Sequence, residues 1–505
     1  MNETFDVVVV GAGPVGLMLA CELALGGAQV LVVERLTEID PTVKAGAINV
    51  PTAQAFYRRG LLPDLVEQQT ALLSRMAGFA RPGGGANSRP PFVGHFAGIM
   101  IDSTLIDFDD PAFANLGPAA DAWLVPQQAV ETILAARAAE LGVTVWRGVE
   151  LAGFDDDGDG VDIRLGDNTI RAHWLVGCDG GRSTVRKQAG FDFPGLDPEI
   201  TGYQAVVEMT GAEELRSGWN ATGTGIYVHG PMPGRIGVMV PDGPHADRTA
   251  PITAAELQEK LRYVSGVPVV ITAVHTATRY TDNTRQVPDY RSGRILLAGD
   301  AAHVHSPYGG QGLNLGVGDA VNLGWKLAGV VTGRLPEAVL DTYTAERHPI
   351  GAWVLEWTRA QIGVMRTDPR SRALRGVMTE LLATRDGATT IFKKIAGVLH
   401  RYDLGPGPDL VGAAAPDIEL TDGTRLGDHQ RTGRVVLLDL ADDPALRAVA
   451  EPWAGPVRVV TAKAVDPQPF TALLVRPDGH VAWAADDSGT EGLPAALTRW
   501  AGDRP

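Results

Sequence analysis

Residues 5–10, FDVVVV, form a short unbroken run rich in β-branched side chains, the pattern of a strand buried on both faces of a parallel sheet. Gly11-Ala-Gly13-Pro-Val-Gly16 follows, and then LMLACELALGG, which reads as a helix ending at Gly26-Gly27. A second β-branched run at 29–33 ends in Glu34, 18 residues after Gly16. Together these predict a βαβ unit closed by an acid. Gly11 permits the tight turn, Gly13 lets the backbone approach a pyrophosphate, and Gly16 lets helix and strand pack closely. The helix N-terminus offers unpaired N–H groups and the positive end of its dipole. Glu34 suits both hydroxyls of an adenosine ribose and repels a 2′-phosphate. A dinucleotide site follows, for NAD or FAD and not NADP.

Further along, residues 123–141 have the pattern of an amphipathic helix entered through Pro126, and three strand-like runs follow it. The acidic run Asp155–Gly160 lacks the closing Glu of a calcium loop and reads as a solvated hairpin tip. An apolar strand then reaches Cys178, Asp179 and a Gly-rich turn running to Arg186. Residues 191–280 alternate in short runs, as an antiparallel sheet in a separate layer does. The buried strand RILLAG at 294–299 ends in Asp300, and a Gly-rich turn opens a long helix. Residues 337–400 read as helical, GPGPDLVGAAAPD as a linker, and the last ~90 residues as a compact α/β unit. Residues 81–98 are Gly/Pro-rich and broken, fitting loops and short strands. Gly83-Gly84-Gly85 follows no strand, so no second dinucleotide fingerprint is present.

Composition narrows the function classes. The 505 residues suggest roughly three domains. With 45% hydrophobic and 21% charged residues, a disordered chain is excluded. A net charge of −16 argues against binding nucleic acid through phosphates. Cys21 and Cys178 support neither a disulfide framework nor a thiolate metal site, and no metal is expected. No basic leader and no apolar run of ~18 residues are visible, so a cytoplasmic, membrane-free protein is expected.

Three motifs in order (the first with Glu34, Cys178–Arg186, and GD…PYGGQGLNLGVGDAVNLGWKL at 299–327) resemble those of the class A flavoprotein monooxygenases. These are the phenol and p-hydroxybenzoate hydroxylase type, and the nearest likeness is to the bacterial hydroxylases that tailor aromatic polyketides in antibiotic biosynthesis. The likeness spans essentially the whole chain. It implies an α/β fold with a Rossmann-like FAD-binding domain at 1–75, 100–190 and 280–400. A β-sheet-rich substrate domain at 76–99 and 191–279 is interleaved with it. A thioredoxin-like domain at 405–505 follows, here without cysteine and so without thiol chemistry.

The resemblance also implies FAD, NADPH or NADH as transient reductant, and O2, which forms a flavin hydroperoxide that hydroxylates a phenol. Carried over, Gly11, Gly13 and Gly16 take the pyrophosphate and Glu34 the ribose. Gln127 and Asp300 lie near the ribityl and pyrophosphate, and Gly312, Leu313 and Asn314 approach the ring by backbone. Asp179 and Arg186 belong to the motif linked with FAD and the nicotinamide nucleotide. Pro307 lines the active site, and Arg35 is an adenosine or phosphate contact. Lys44 and Pro51 stand where the family usually has Arg, and Lys offers a point charge where Arg offers a planar fork.

Tyr227, His229 and Met239 are the substrate-side candidates, with Tyr227 and His229 on one strand face. His95, Arg235, His303 and His305 are further candidates for activating a phenol, and none is singled out as base. The partner is a small aromatic molecule and the chain a monomer or homodimer. Baeyer–Villiger insertion beside a ketone, or flavin-dependent dehydrogenation, are the alternatives.

Overall fold

The computed structural model describes residues 4–75, 92–120, 123–166, 168–230, 232–245, 250–486 and 489–503. The Gly-rich 81–91 segment, with Gly83–Gly85, lies outside the described residues.

The initial βαβ unit forms as its pattern dictates. β1 (Thr4–Val10) and β2 (Val30–Glu34) pair in parallel, Val7 opposite Val30 and Val10 opposite Val33, with α1 (Pro14–Leu25) crossing between them. The strand side chains are buried on both faces, which is why the run has no polar alternation. α2 (Val50–Arg58) and α3 (Gln127–Glu140) follow, and then β3 (Thr144–Arg147) and β4 (Asn168–Gly177). With β10 (Ile295–Leu297), the parallel order is β10-β4-β1-β2-β3.

This order brings distant chain segments together. Val10 of β1 sits opposite Gly177 of β4, and Gly177 opposite Leu297 of β10. The three turns that follow these residues therefore open side by side at one sheet edge. Ligands of open α/β sheets bind at such strand ends.

The second sheet is antiparallel, in the order β6-β7-β8-β5-β9. It contains β5 (Thr201–Thr210), β6 (Gly218–Ala221), β7 (Ile226–His229), β8 (Arg235–Val240) and β9 (Val270–Thr281). One face packs on α4 (Ala254–Ser265) through Tyr203, Tyr227, Val238, Leu257 and Leu261. The opposite face carries Ile226, Met239 and Tyr280. These pack with Trp357 and Ile362 of the long helix α6 (Asp341–Met365). α5 (Gly312–Val331) follows β10 and packs along α1, Gly316 against Val15 and Gly324 against Glu22.

The last unit is a four-stranded sheet. Its order is Val457–Thr461, Val435–Asp439, Ala472–Val475, Val481–Ala485. It is not simply strung on the end. Val435, Leu437 and Trp453 belong to the same apolar core as β1 and α1, and Trp500 lies 6.1 Å from Trp325 of α5. Its RPDG turn is driven inward: Arg476 pairs with Glu346 of α6 at 2.7 Å and with Asp478. Among the described residues no helix is long and apolar enough to cross a membrane.

Candidate active site

The turn after β1 is held by contacts only glycine allows. Gly11 has φ +107°, and a Cβ there would stand 2.5 Å from the Cys178 carbonyl oxygen. A Cβ at Gly16 would overlap the Gly11 carbonyl oxygen, whereas one at Gly13 would meet no protein atom within 4 Å. Gly13 is the N-cap of α1 and makes no side-chain cap, and the first helical turn holds no acid. Its N–H groups are left for a ligand. Glu34 accepts from Ala12 N at 2.8 Å and Leu36 N at 2.9 Å, which fixes its carboxylate at the end of β2. Arg35, next in sequence, is exposed.

The turn after β10 closes on the same place. A Cβ at Gly299 would lie 3.0 Å from Val15 Cγ2, so this turn packs directly on the first turn of α1. Asp300 is exposed and its Oδ1 lies 3.9 Å from the Cβ position of Gly312, at the start of α5. The α5 N-cap, Gln311, also makes no side-chain cap. Two uncapped helix N-termini and one carboxylate thus converge.

Behind them sits a buried carboxylate that the motif contained and the sequence reading left without a role. Asp319 of α5 accepts from Gly299 N at 3.1 Å and Arg347 Nε at 2.8 Å, and its Oδ2 lies 2.6 Å from His303 Nε2. His303 and Arg347 hold its carboxyl below the usual carboxylate range against the opposing effect of burial. Asp319 fixes the turn; His303 is its partner and does not face the cleft.

The remaining predicted residues divide. Asp179 Oδ2 accepts from Thr184 N at 2.6 Å, capping the Thr184–Gln188 helix, while Oδ1 is buried without a hydrogen bond. Arg186 ties its turn to that of β10 by donating to Ala301 O and Gly181 O, both at 2.8 Å. Gln127 donates its backbone N–H to Ala45 O at 2.9 Å, fixing the 45–46 backbone beside α3. Its side chain goes to Glu131 instead. Lys44 pairs with Asp40 at 2.9 Å and is 39% exposed, so its charge is already engaged locally. Pro51 lies in the first turn of α2. Leu313 is buried, and Asn314 accepts from Asn49 N at 2.9 Å, which docks α2 to α5.

The residues packed beyond Pro307 form an aromatic cluster. Pro307 itself is exposed, and the next residue, Tyr308, is buried with its hydroxyl 2.7 Å from that of Tyr280. Trp219 stands edge-on to Tyr308 at 5.9 Å, and His95 lies 4.3 Å from Trp219. Burial pushes the Tyr280 phenol up to about 12 and pulls His95 down to about 4, so both are neutral near pH 7. Arg235 reaches this side: its Nη1 is 3.8 Å from the Cβ position of Gly46, and burial lowers its pKa. His305 is half-buried, with Nδ1 2.8 Å from Ser306 O and its buried Nε2 unpartnered, 3.5 Å from the Cβ position of Gly312.

One expectation needs correction. Met239 lies in the aromatic cluster with Tyr308 and Tyr280, but Tyr227 faces the other way, into the core under α4. The register explains it. Ile226 is opposite Met239, whereas Tyr227 is opposite Val238, one residue out of phase. His229, two residues on, follows Tyr227 onto that face. Tyr280, Tyr308 and Trp219 were the residues missed; each sits in a run whose alternation shows two faces without saying which one is inward.

Comparison with known proteins agrees with this geometry. The family described as FAD binding domain matches residues 4–358, and aromatic-ring hydroxylase, C-terminal, matches 408–504. Anhydrotetracycline monooxygenase of Streptomyces rimosus is 39% identical over 529 residues, 99% of each chain. Dialkyldecalin synthase of Streptomyces rugosporus is 36% identical over 513 residues, again 99% of each. The structure of the OxyS anhydrotetracycline hydroxylase of Streptomyces rimosus superposes with a TM-score of 0.87 at 37% identity, covering 100% of both chains.

Proposed function

Because the chain belongs to the FAD-binding aromatic-ring hydroxylases and is an FAD-dependent aromatic monooxygenase, we propose that it oxygenates a large fused-ring phenol of the polyketide kind. O2 is the co-substrate and NADPH or NADH the reductant. When bound, FAD supplies the oxygen-activating chemistry, and the protein supplies position and exclusion of water.

The observation that carries this reading is the convergence of three turns beside an aromatic cluster. Gly11, Gly13 and Gly16 with the α1 N-terminus fit a diphosphate, and Glu34 an adenosine ribose. Asp300 and the 45–46 backbone held by Gln127 flank the ribityl. The α5 N-terminus, at Gly312–Asn314, offers N–H groups to the anionic edge of a reduced ring. Asp179 and Arg186 act by fixing the turn after β4. Lys44 and Arg35 remain at the rim, as solvent-side charge.

Toward the substrate, Pro307, Met239, Trp219 and the Tyr280–Tyr308 pair form one wall. Planar aromatic walls suit a planar polycycle. The two neutral tyrosine hydroxyls are placed to orient a phenol oxygen, and the Arg235 guanidinium stabilises the phenolate, the form that is most electron-rich. The relative substrates named above belong to those proteins; here they favour a fused-ring substrate over a single-ring phenol.

The test is a screen of phenolic polycycles against the FAD-loaded protein, following NADPH and NADH oxidation. At least one polycycle is expected to raise the rate tenfold or more over the substrate-free rate, while simple phenols leave it near background. Stimulation by simple phenols alone, or by none of the phenols, overturns the proposed substrate class.

A further inference from the structure

A cavity flanks α5, walled by α2, α5, α6, residues 397–402 and the turn at 478–480 of the C-terminal unit, with Gln311 and Asn314 at its end nearest the α5 N-terminus. Its lining includes Thr52 and Arg58 from the two ends of α2, Arg347 from α6, and His400. Arg58 is only 8% exposed, yet its one hydrogen bond runs from Nη2 to the Asp478 backbone oxygen at 3.2 Å. Among the described residues, no carboxylate pairs with it within 4 Å.

Its neighbours are all spoken for. Arg59 pairs with Glu22 at 2.6 Å, Lys326 with Glu346 at 2.9 Å, Arg476 with Glu346 and Asp478, and Arg347 with Asp319 at 2.8 Å. On the outer side Asp417 is taken by Arg425 at 2.7 Å. In the cluster of Arg58, Arg59, Lys326, Arg347 and Arg476 with Glu22, Asp319, Glu346 and Asp478, one positive charge is left over, and it is on Arg58. A buried charge without a counter-charge is costly, and proteins pair such groups.

Two further polar atoms on the cavity wall lack a partner. Thr52 Oγ1 is buried without a hydrogen bond, and so is His400 Nε2. A guanidinium, a hydroxyl and an imidazole nitrogen are all able to donate. A donor-lined cavity with one excess positive charge selects a monovalent acceptor.

We propose that this cavity between α2, α5 and the C-terminal turn is a binding site for a small monovalent anion of the halide class, held by Arg58, Thr52 and His400. The ion completes the seam through which the C-terminal unit is joined to the flavin-bearing body. The site is independent of the substrate assignment, since none of its three residues belongs to the aromatic cluster of Tyr280, Tyr308 and Trp219.

The test uses the FAD-loaded full chain and sodium bromide against sodium gluconate at fixed ionic strength. Bromide is expected to raise the wild-type melting temperature by several degrees in a saturable way, and bromide-grown crystals to show an anomalous peak in contact with the Arg58 guanidinium. Arg58→Met is expected to lose the bromide dependence while melting in gluconate no lower than wild type, because it removes the unpaired charge. Thr52→Val, which keeps the charge, is expected to weaken the bromide response at least threefold and serves if Arg58→Met does not fold. An equal bromide shift in wild type and variant, no peak at Arg58, or a larger response to phosphate than to bromide overturns the proposal.

Discussion

Gly13→Ala yields a folded protein that no longer retains FAD, whereas Gly16→Ala damages fold and cofactor binding together. The two substitutions add the same methyl group three residues apart, and the structure separates their consequences. At Gly13 the added carbon meets no protein atom within 4 Å, and the backbone is extended at φ −74°. Nothing in the protein resists it; only a ligand backed against Gly13 does. FAD affinity is expected to fall more than tenfold with melting of the apoprotein unchanged. At Gly16 the carbon overlaps the Gly11 carbonyl oxygen, backbone that cannot swing aside. α1 must back away from β1, which loosens its packing and misplaces its N–H groups. Overpacking of this kind costs about 1–3 kcal/mol. The flavin-to-protein absorbance ratio after gel filtration, with apoprotein melting curves, checks both. Normal FAD content in Gly13→Ala contradicts the assignment of the α1 N-terminus to the diphosphate.

Asp319→Ala is expected to be the most destabilising single change in the cradle. It strips Arg347 and His303 of their shared carboxylate in a fully buried place and frees the Gly299 N–H. Removing one partner of a buried pair costs about 3–5 kcal/mol, because the other charge is left uncompensated. Urea unfolding of the apoprotein reads this directly. The Gly299 turn carries Asp300, so FAD retention is expected to drop too, even at low temperature where the variant stays folded. A loss under 1 kcal/mol with full FAD retention contradicts the positioning role given to Asp319.

How much of this was legible in the chain depends on how local each interaction is. The β1–α1–β2 unit was readable because a buried strand pattern, glycine spacing and a closing acid all fall within 30 consecutive residues. The in-register alignment of Val10, Gly177 and Leu297 was implied by three strand–turn motifs, though no spacing states which strands are neighbours. Asp319 stood in plain sight within the third motif. Its meaning lay in Arg347, on another helix 28 residues on, and in a backbone N–H 20 residues back. Tyr227 and Met239 were grouped together because both strand faces are apolar, and only the register tells the core under α4 from the aromatic wall. The RPDG turn at 476–479 reads as a solvent turn by composition. It is buried because Glu346 and Asn322 await it on α6 and α5. Arg58 and Arg59 are the same residue type side by side in the sequence, and only Arg59 has a carboxylate partner.

The central claim is that the two sheets and their three turns exist to move an oxygen atom from O2 to an aromatic ring. One full-length relative is named a synthase, so the framework alone does not decide the chemistry. The deciding measurement is turnover of a stimulating phenolic polycycle under ¹⁸O2 with reductant, followed by mass and NMR assignment of product. The account predicts one ¹⁸O atom per product molecule, placed as a new hydroxyl on the ring. A product without label, formed as fast when O2 is excluded, contradicts it.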